Sequence, residues 1–214
     1  MVDLGSPHPA SFVADKKRGV AERMYRYIIC VAICAVIWIL NGRCIFQSAR
    51  ERISGEVYTH TGLGVFFTLL TLELVLGEAG AWMRGNISWL QIVGYILYVP
   101  SAFLVFGSMI ELKHKGKAKT LAPHGTARLV QTGIYGIVRH PMWLGMAIWS
   151  TALILIFQSI LSVILGAVAI VCFRMGTTRE DEFNIKEFGD AYREYGKRVP
   201  MWNAFKGLRQ LRKA

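Results

Sequence analysis

YIICVAICAVIWILNGRCIF, residues 27 to 46, is a run of twenty residues in which Arg43 is the only charged side chain. As a helix rising about 1.5 Å per residue, such a run spans roughly 30 Å, the thickness of a bilayer's hydrocarbon core. Lys16, Lys17 and Arg18 precede it, as they would a secretory signal, but the apolar run is too long and no small-residue cleavage pattern follows. It is therefore expected to remain as an anchor.

Working outward, four more apolar runs lie at 61 to 80, 87 to 110, 142 to 157 and 159 to 175. The last two are short, and with only Gln158 and Ser159 between them they read as a tight helical hairpin. The chain is thus expected to be an all-α integral membrane protein. It should have about five transmembrane helices and a C-terminal cytoplasmic helical segment. The divisions are an N-terminal tail (1 to 26), three spans (27 to 110) and a third region (111 to 214) holding a polar loop, the hairpin 142 to 175 and an amphipathic C-terminal segment. A hydrophobic content of 53% across 214 residues fits this class.

Charge sets the orientation. With five spans, six Lys and Arg fall on one side and nineteen on the other, which places the loop 111 to 141 and the tail 174 to 214 together in the cytoplasm. The net charge of +11 then reflects this bias and attraction to anionic headgroups. No zinc-finger, RNP or helix-turn-helix pattern accompanies it, so no nucleic-acid partner is expected. Cys30, Cys34, Cys44 and Cys172 lie in or beside apolar helices without paired ligand spacing, and no metal is expected.

Within the membrane, Glu73 is costly to bury and is either functional or a structural hydrogen-bonding group. Pro100 should bend the third span. On the cytoplasmic side, Gly133 and Gly136 break the chain into turns, and Pro141 suits the first turn of the fourth helix. Arg139, His140 and that helix start suit an anion such as a carboxylate, or a lipid phosphate. Thr177 and Thr178, each three residues ahead of Glu180 or Asp181, predict a separate capped helix starting there, with an aromatic edge of Phe183, Phe188, Tyr192 and Tyr195.

"LVQTGIYGIVRHPMWLG", followed by a helical hairpin and "REDEFNIKEFGDAYREYGKRVP", resembles the isoprenylcysteine carboxyl methyltransferase and phospholipid methyltransferase superfamily over roughly residues 121 to 205. The resemblance implies an S-adenosylmethionine-dependent methyltransferase whose lipid-like or amphiphilic acceptor enters from the bilayer. It puts the cofactor contacts on Ala127, Arg128, Leu129, Val130, Tyr135, His140, Pro141, Met142, Trp143 and Glu180. Leu129, Val130 and Met142 would flank adenine, His140 and the helix start would receive the cofactor carboxylate, and Tyr135 or Trp143 would face the sulfonium.

Two positions depart from the pattern. The substrate-contacting arginine of the isoprenylcysteine enzymes falls on Gly176, and the usual Tyr after "RHPM" is Trp143. Arg174 or Arg179 would have to replace the arginine, with Arg174 the candidate for orienting an anionic acceptor. Membrane reductases of the sterol type, which use NADPH, share a distantly similar C-terminal pattern, and a non-catalytic membrane scaffold is the remaining alternative.

Overall fold

The computed structural model describes residues 9–116 and 128–212, with side chains from Arg18 onward. Ala127 and the loop residues before it lie outside the described residues. The described residues form helices and no strands: α1 (Pro9–Arg50), α2 (Ser54–Leu72), α3 (Ser88–Lys115), α4 (Pro141–Phe157), α5 (Ile160–Phe188), α6 (Asp190–Arg198) and α7 (Ala204–Leu211).

Four of these helices are long and apolar enough to cross a membrane. The fifth apolar helix, α4, has 17 residues, or about 25 Å of rise, and so falls short of the ~30 Å core. It nevertheless runs the length of the bundle beside α3. Ser101 Oγ donates to Gly145 O at 3.0 Å, and a Cβ on Gly94 would meet Ile156 and Ala152. That descending register makes α3 and α4 antiparallel. Pro100 sits inside an unbroken α3.

The hairpin expected between residues 157 and 160 is present. Gln158 turns the chain in the left-handed region (φ +49°), and Ser159 and Ser162 form a capping box that starts α5. Gln158 also clasps the start of α3, accepting from Ile87 N and donating to Ile87 O, each at 2.9 Å. A capping box thus exists, but at the membrane-crossing end of α5. No helix starts at Thr177, because the apolar run and the polar segment after it form one continuous helix. Thr177 and Thr178 turn their hydroxyls back onto Arg174 O instead of capping. Gly189 (φ +57°) makes the corner into α6.

Glu73 proves structural. It is fully buried where α2 passes into a π-helical turn, Glu73–Gly77. Arg84 pairs with it at 2.7 Å, Trp82 Nε1 donates at 3.2 Å, and Ser159 Oγ donates to its other oxygen. This cluster ties α2 to the α4–α5 hairpin at the bundle end opposite the 128–141 segment. Glu78 also pairs with Arg84 at 2.6 Å and is more than half exposed.

α2 crosses α5 where both are small. A Cβ on Gly55 would stand 3.3 Å from Gly176 O, and one on Gly62 would press on Phe173 and Cys172. Gly176 is itself buried, and a Cβ there would collide with Thr59 and Gly55 O. The helix crossing leaves no room for a side chain at position 176.

Candidate functional site

The chain from Arg128 to His140 is folded by a few specific locks. Gly133 (φ +64°) opens a 3-10 turn, Gly133–Gly136, and a side chain there would strike the Glu111 carboxylate. Glu111 uses that proximity to accept from Ile134 N at 3.1 Å. Tyr195 Oη donates to Tyr135 O at 2.7 Å, tying the turn to α6. His140 precedes Pro141, which opens α4 with backbone N–H groups that have no partner within the helix.

These locks bring two distant segments together as one narrow cleft of about 50 Å³. From the first segment come Arg128, Leu129, Val130, Tyr135, His140, Pro141, Met142 and Trp143; from α5 comes Glu180. Every expected cofactor residue within the described chain therefore lines the same cleft. Leu112, Arg139, Asn184, Phe188, Tyr192 and Tyr195 complete it. Glu180, Asn184 and Phe188 are four residues apart, so the uninterrupted α5 sets them on one face. The expectation of a new helix starting near 177 concealed that face.

Arg174 is placed elsewhere. Its guanidinium bonds to Thr178 Oγ1 and Met201 Sδ, each at 2.8 Å, and lies over the Trp202 ring. Arg179 is half exposed and pairs with Glu182 at 3.0 Å. Neither lines the cleft.

The electrostatic centre is Asp181. Arg139 Nη2 donates to it at 2.7 Å, His140 Nε2 at 2.7 Å, and Tyr192 Oη also donates. Arg139 Nη1 further donates to Gly196 O and Val199 O at 2.8 and 2.9 Å. The Arg-His pair ahead of Pro141 thus fastens α5 and α6 to the start of α4. The His140 ring is 3% exposed, and its other nitrogen faces Glu180 Oε1 at 3.5 Å.

Burial disfavours charge on His140, but the Glu180 carboxylate and the hydrogen bond to Asp181 outweigh it, raising its pKa to about 9. It is imidazolium at neutral pH. Burial, with the Glu180 charge adding to it, pushes the Tyr135 phenol well above its usual range, so it stays a protonated donor. Trp143 Nε1 donates to Glu180 Oε2 at 2.9 Å, and its ring stacks on Phe173.

Met142 and Trp143 also line a second space, an apolar cavity of about 670 Å³. Its walls include Leu63, Phe66, Leu70, Val105, Phe106 and Trp149, and Glu56, Thr59 and His60 edge it. A smaller groove beside Glu180 shares Glu56 and Thr59 with this cavity and carries Arg52, Arg179 and Lys186. A polar cleft, a mixed-charge groove and a lipid-sized apolar cavity therefore adjoin one another at one end of the bundle.

Residues 89–191 match a family model described as phospholipid methyltransferase. Three curated proteins named protein-S-isoprenylcysteine O-methyltransferase are also similar. The one from Schizosaccharomyces pombe (strain 972 / ATCC 24843) is 34% identical over 73 residues, covering 34% of this chain and 31% of that protein. The one from Dictyostelium discoideum is 32% identical over 81 residues, covering 37% and 33%. The Homo sapiens protein is 29% identical over 149 residues, covering 61% and 50%. The chain thus spans a third to a half of the length of the curated relatives it matches. No solved structure matches. These findings bear out the superfamily resemblance read from the two motifs.

Proposed function

We propose that the chain is an integral membrane methyltransferase that uses S-adenosylmethionine and acts on a lipid-like or amphiphilic acceptor. The observation that carries this reading is the sharing of Met142 and Trp143 between the polar cleft and the apolar cavity. A donor seated on one side of these two residues meets an acceptor lying on the other.

The donor set of the cleft fits the cofactor's chemistry. Glu180 accepts hydrogen bonds, and the free N–H groups of α4's first turn, with Arg128, suit a carboxylate. Leu129, Val130 and Met142 offer apolar walls to a purine, and the Tyr135 and Trp143 rings suit a sulfonium. His140 and Asp181 act as positioning residues that hold Glu180 and the helix start. Because the cleft offers only about 50 Å³, seating a nucleoside-sized ligand requires its walls to part, the Trp143–Glu180 hydrogen bond first.

When bound, S-adenosylmethionine supplies an electrophilic methyl group on a cationic sulfur. The protein contributes alignment of acceptor, methyl and sulfur, together with exclusion of water. A carboxylate acceptor needs no base, whereas an ammonium must first lose a proton. Glu56 is the group placed for that proton: it is buried, accepts from Ser48 Oγ at 2.8 Å, and lies between groove and cavity. The excess of Lys and Arg at this end of the bundle supports a cytoplasmic location for it.

Calorimetry on the purified protein separates the readings. Heat of binding with S-adenosylmethionine and none with NADPH is expected. The reverse favours a reductase, and no binding of either favours a scaffold.

A further inference from the structure

The helix α7 has a face that none of the described residues covers. Phe205, Leu208 and Leu211 are 81%, 45% and 54% exposed, and at helical spacing they form one apolar strip. Lys206 and Arg209 flank that strip, and Arg212 caps its end. Of the helix only Gly207 is buried. A Cβ at Gly207 would collide with Ile137 O, so α7 touches the chain directly after the Gly133–Gly136 turn. Toward its C-terminal end, Gln210 and Leu211 line a cavity of about 370 Å³ together with Gly136, Tyr195 and Val199, and only the tip of Leu211 comes near Gly136. Inner packing alone leaves the helix thinly supported.

What covers the strip follows from where α7 starts. Met201 and Trp202 rest on Arg174, just where the apolar part of α5 gives way to polar residues. Trp202 also packs against the bundle core. The helix therefore departs from the level of the membrane edge. An apolar strip bordered by cations at that level matches the boundary of an anionic leaflet.

We propose that α7 is an interfacial helix that docks on anionic phospholipid headgroups of the bilayer the chain itself spans. Docked, it presses Gly207 against Ile137 and steadies the turn that carries Tyr135. The docking stands apart from the methyltransferase reading, while its benefit to the cofactor cleft rests on that reading.

Hydrogen exchange of the full chain tests this without cofactor. The protein is reconstituted into vesicles of phosphatidylcholine alone or with about one-third phosphatidylglycerol. Each cation near an anionic surface contributes roughly fivefold to partitioning, so three give about a hundredfold. Protection of residues 204 to 211 and of the 133 to 137 turn should both rise with phosphatidylglycerol. The K206Q, R209Q and R212Q triple variant should lose that response while exchange in α2 and α5 stays unchanged. Equal protection in both vesicles overturns the proposal, as does protection that follows protein density, which points to a second copy. Protection that rises in α7 but not in the turn overturns the coupling.

Discussion

Asp181→Asn preserves the shape of the side chain and removes the charge on which Arg139, His140 and Tyr192 converge. The Asp181 side chain is only 14% exposed, so solvent screens these contacts little. Breaking one partner of a buried ion pair costs about 3 to 5 kcal/mol. Here the amide still accepts one hydrogen bond, and Arg139 keeps two carbonyls, so a loss of about 2 to 3 kcal/mol is expected. The pH profile distinguishes this from a packing defect. His140 has its pKa raised to about 9 in the fold, so its contribution is complete below its ordinary value of 6.5 and vanishes as pH climbs through about 9. That contribution is at most about 3 kcal/mol. Equilibrium unfolding in mixed micelles should show the parent weakening across this window. The variant should start lower and fall less, because its imidazolium has lost an acid. A variant as stable as the parent near neutrality, with the same alkaline slope, refutes the argument.

Glu180→Gln should weaken S-adenosylmethionine binding roughly ten- to a hundredfold by calorimetry, whereas Arg193→Ala, on an exposed pair, should leave it unchanged. Gly176→Ala should destabilise the bundle by about 1 to 3 kcal/mol through overpacking against Thr59; Gly176→Arg should prevent accumulation of folded protein, and wild-type yield of either would show that the crossing is slack. Glu73→Gln should cost about 3 kcal/mol by leaving Arg84 short of a buried partner, yet leave cofactor affinity intact, since the cluster lies at the other end of the bundle. Cysteines placed at Lys113 and Gln210 should label from the same side of the membrane; labelling from opposite sides contradicts the shared compartment.

The apolar runs were legible because length and composition alone decide whether a helix can cross a bilayer. The α4–α5 hairpin was legible too, since two residues can only make a turn. The extent of α5 was not. Thr177 and Thr178 carry a helix-start signal, and only the packing of Gly176 and Phe173 against α2 shows that the helix is already under way. Misplacing that start hid the face that Glu180 shares with Asn184 and Phe188. Likewise, "RHP" reads as an anion site in sequence, because nothing local reveals that both cations are committed to an acid forty residues downstream. The apolar cavity lay beyond sequence reading altogether, for its walls come from α1, α2, α3 and α4 and depend on how those helices cross.

The fate of the methyl group is the most direct test of transfer from the cleft to the cavity. Protein reconstituted in vesicles is incubated with methyl-labelled S-adenosylmethionine and a total lipid extract of its host, with prenylcysteine analogues assayed in parallel. Label should pass into an amphiphile that partitions with the lipid phase, and Glu180→Gln should suppress it. Label recovered only in a freely soluble polar product, or retained wholly in the cofactor with every acceptor offered, would contradict transfer across Met142 and Trp143 from the cleft to the cavity.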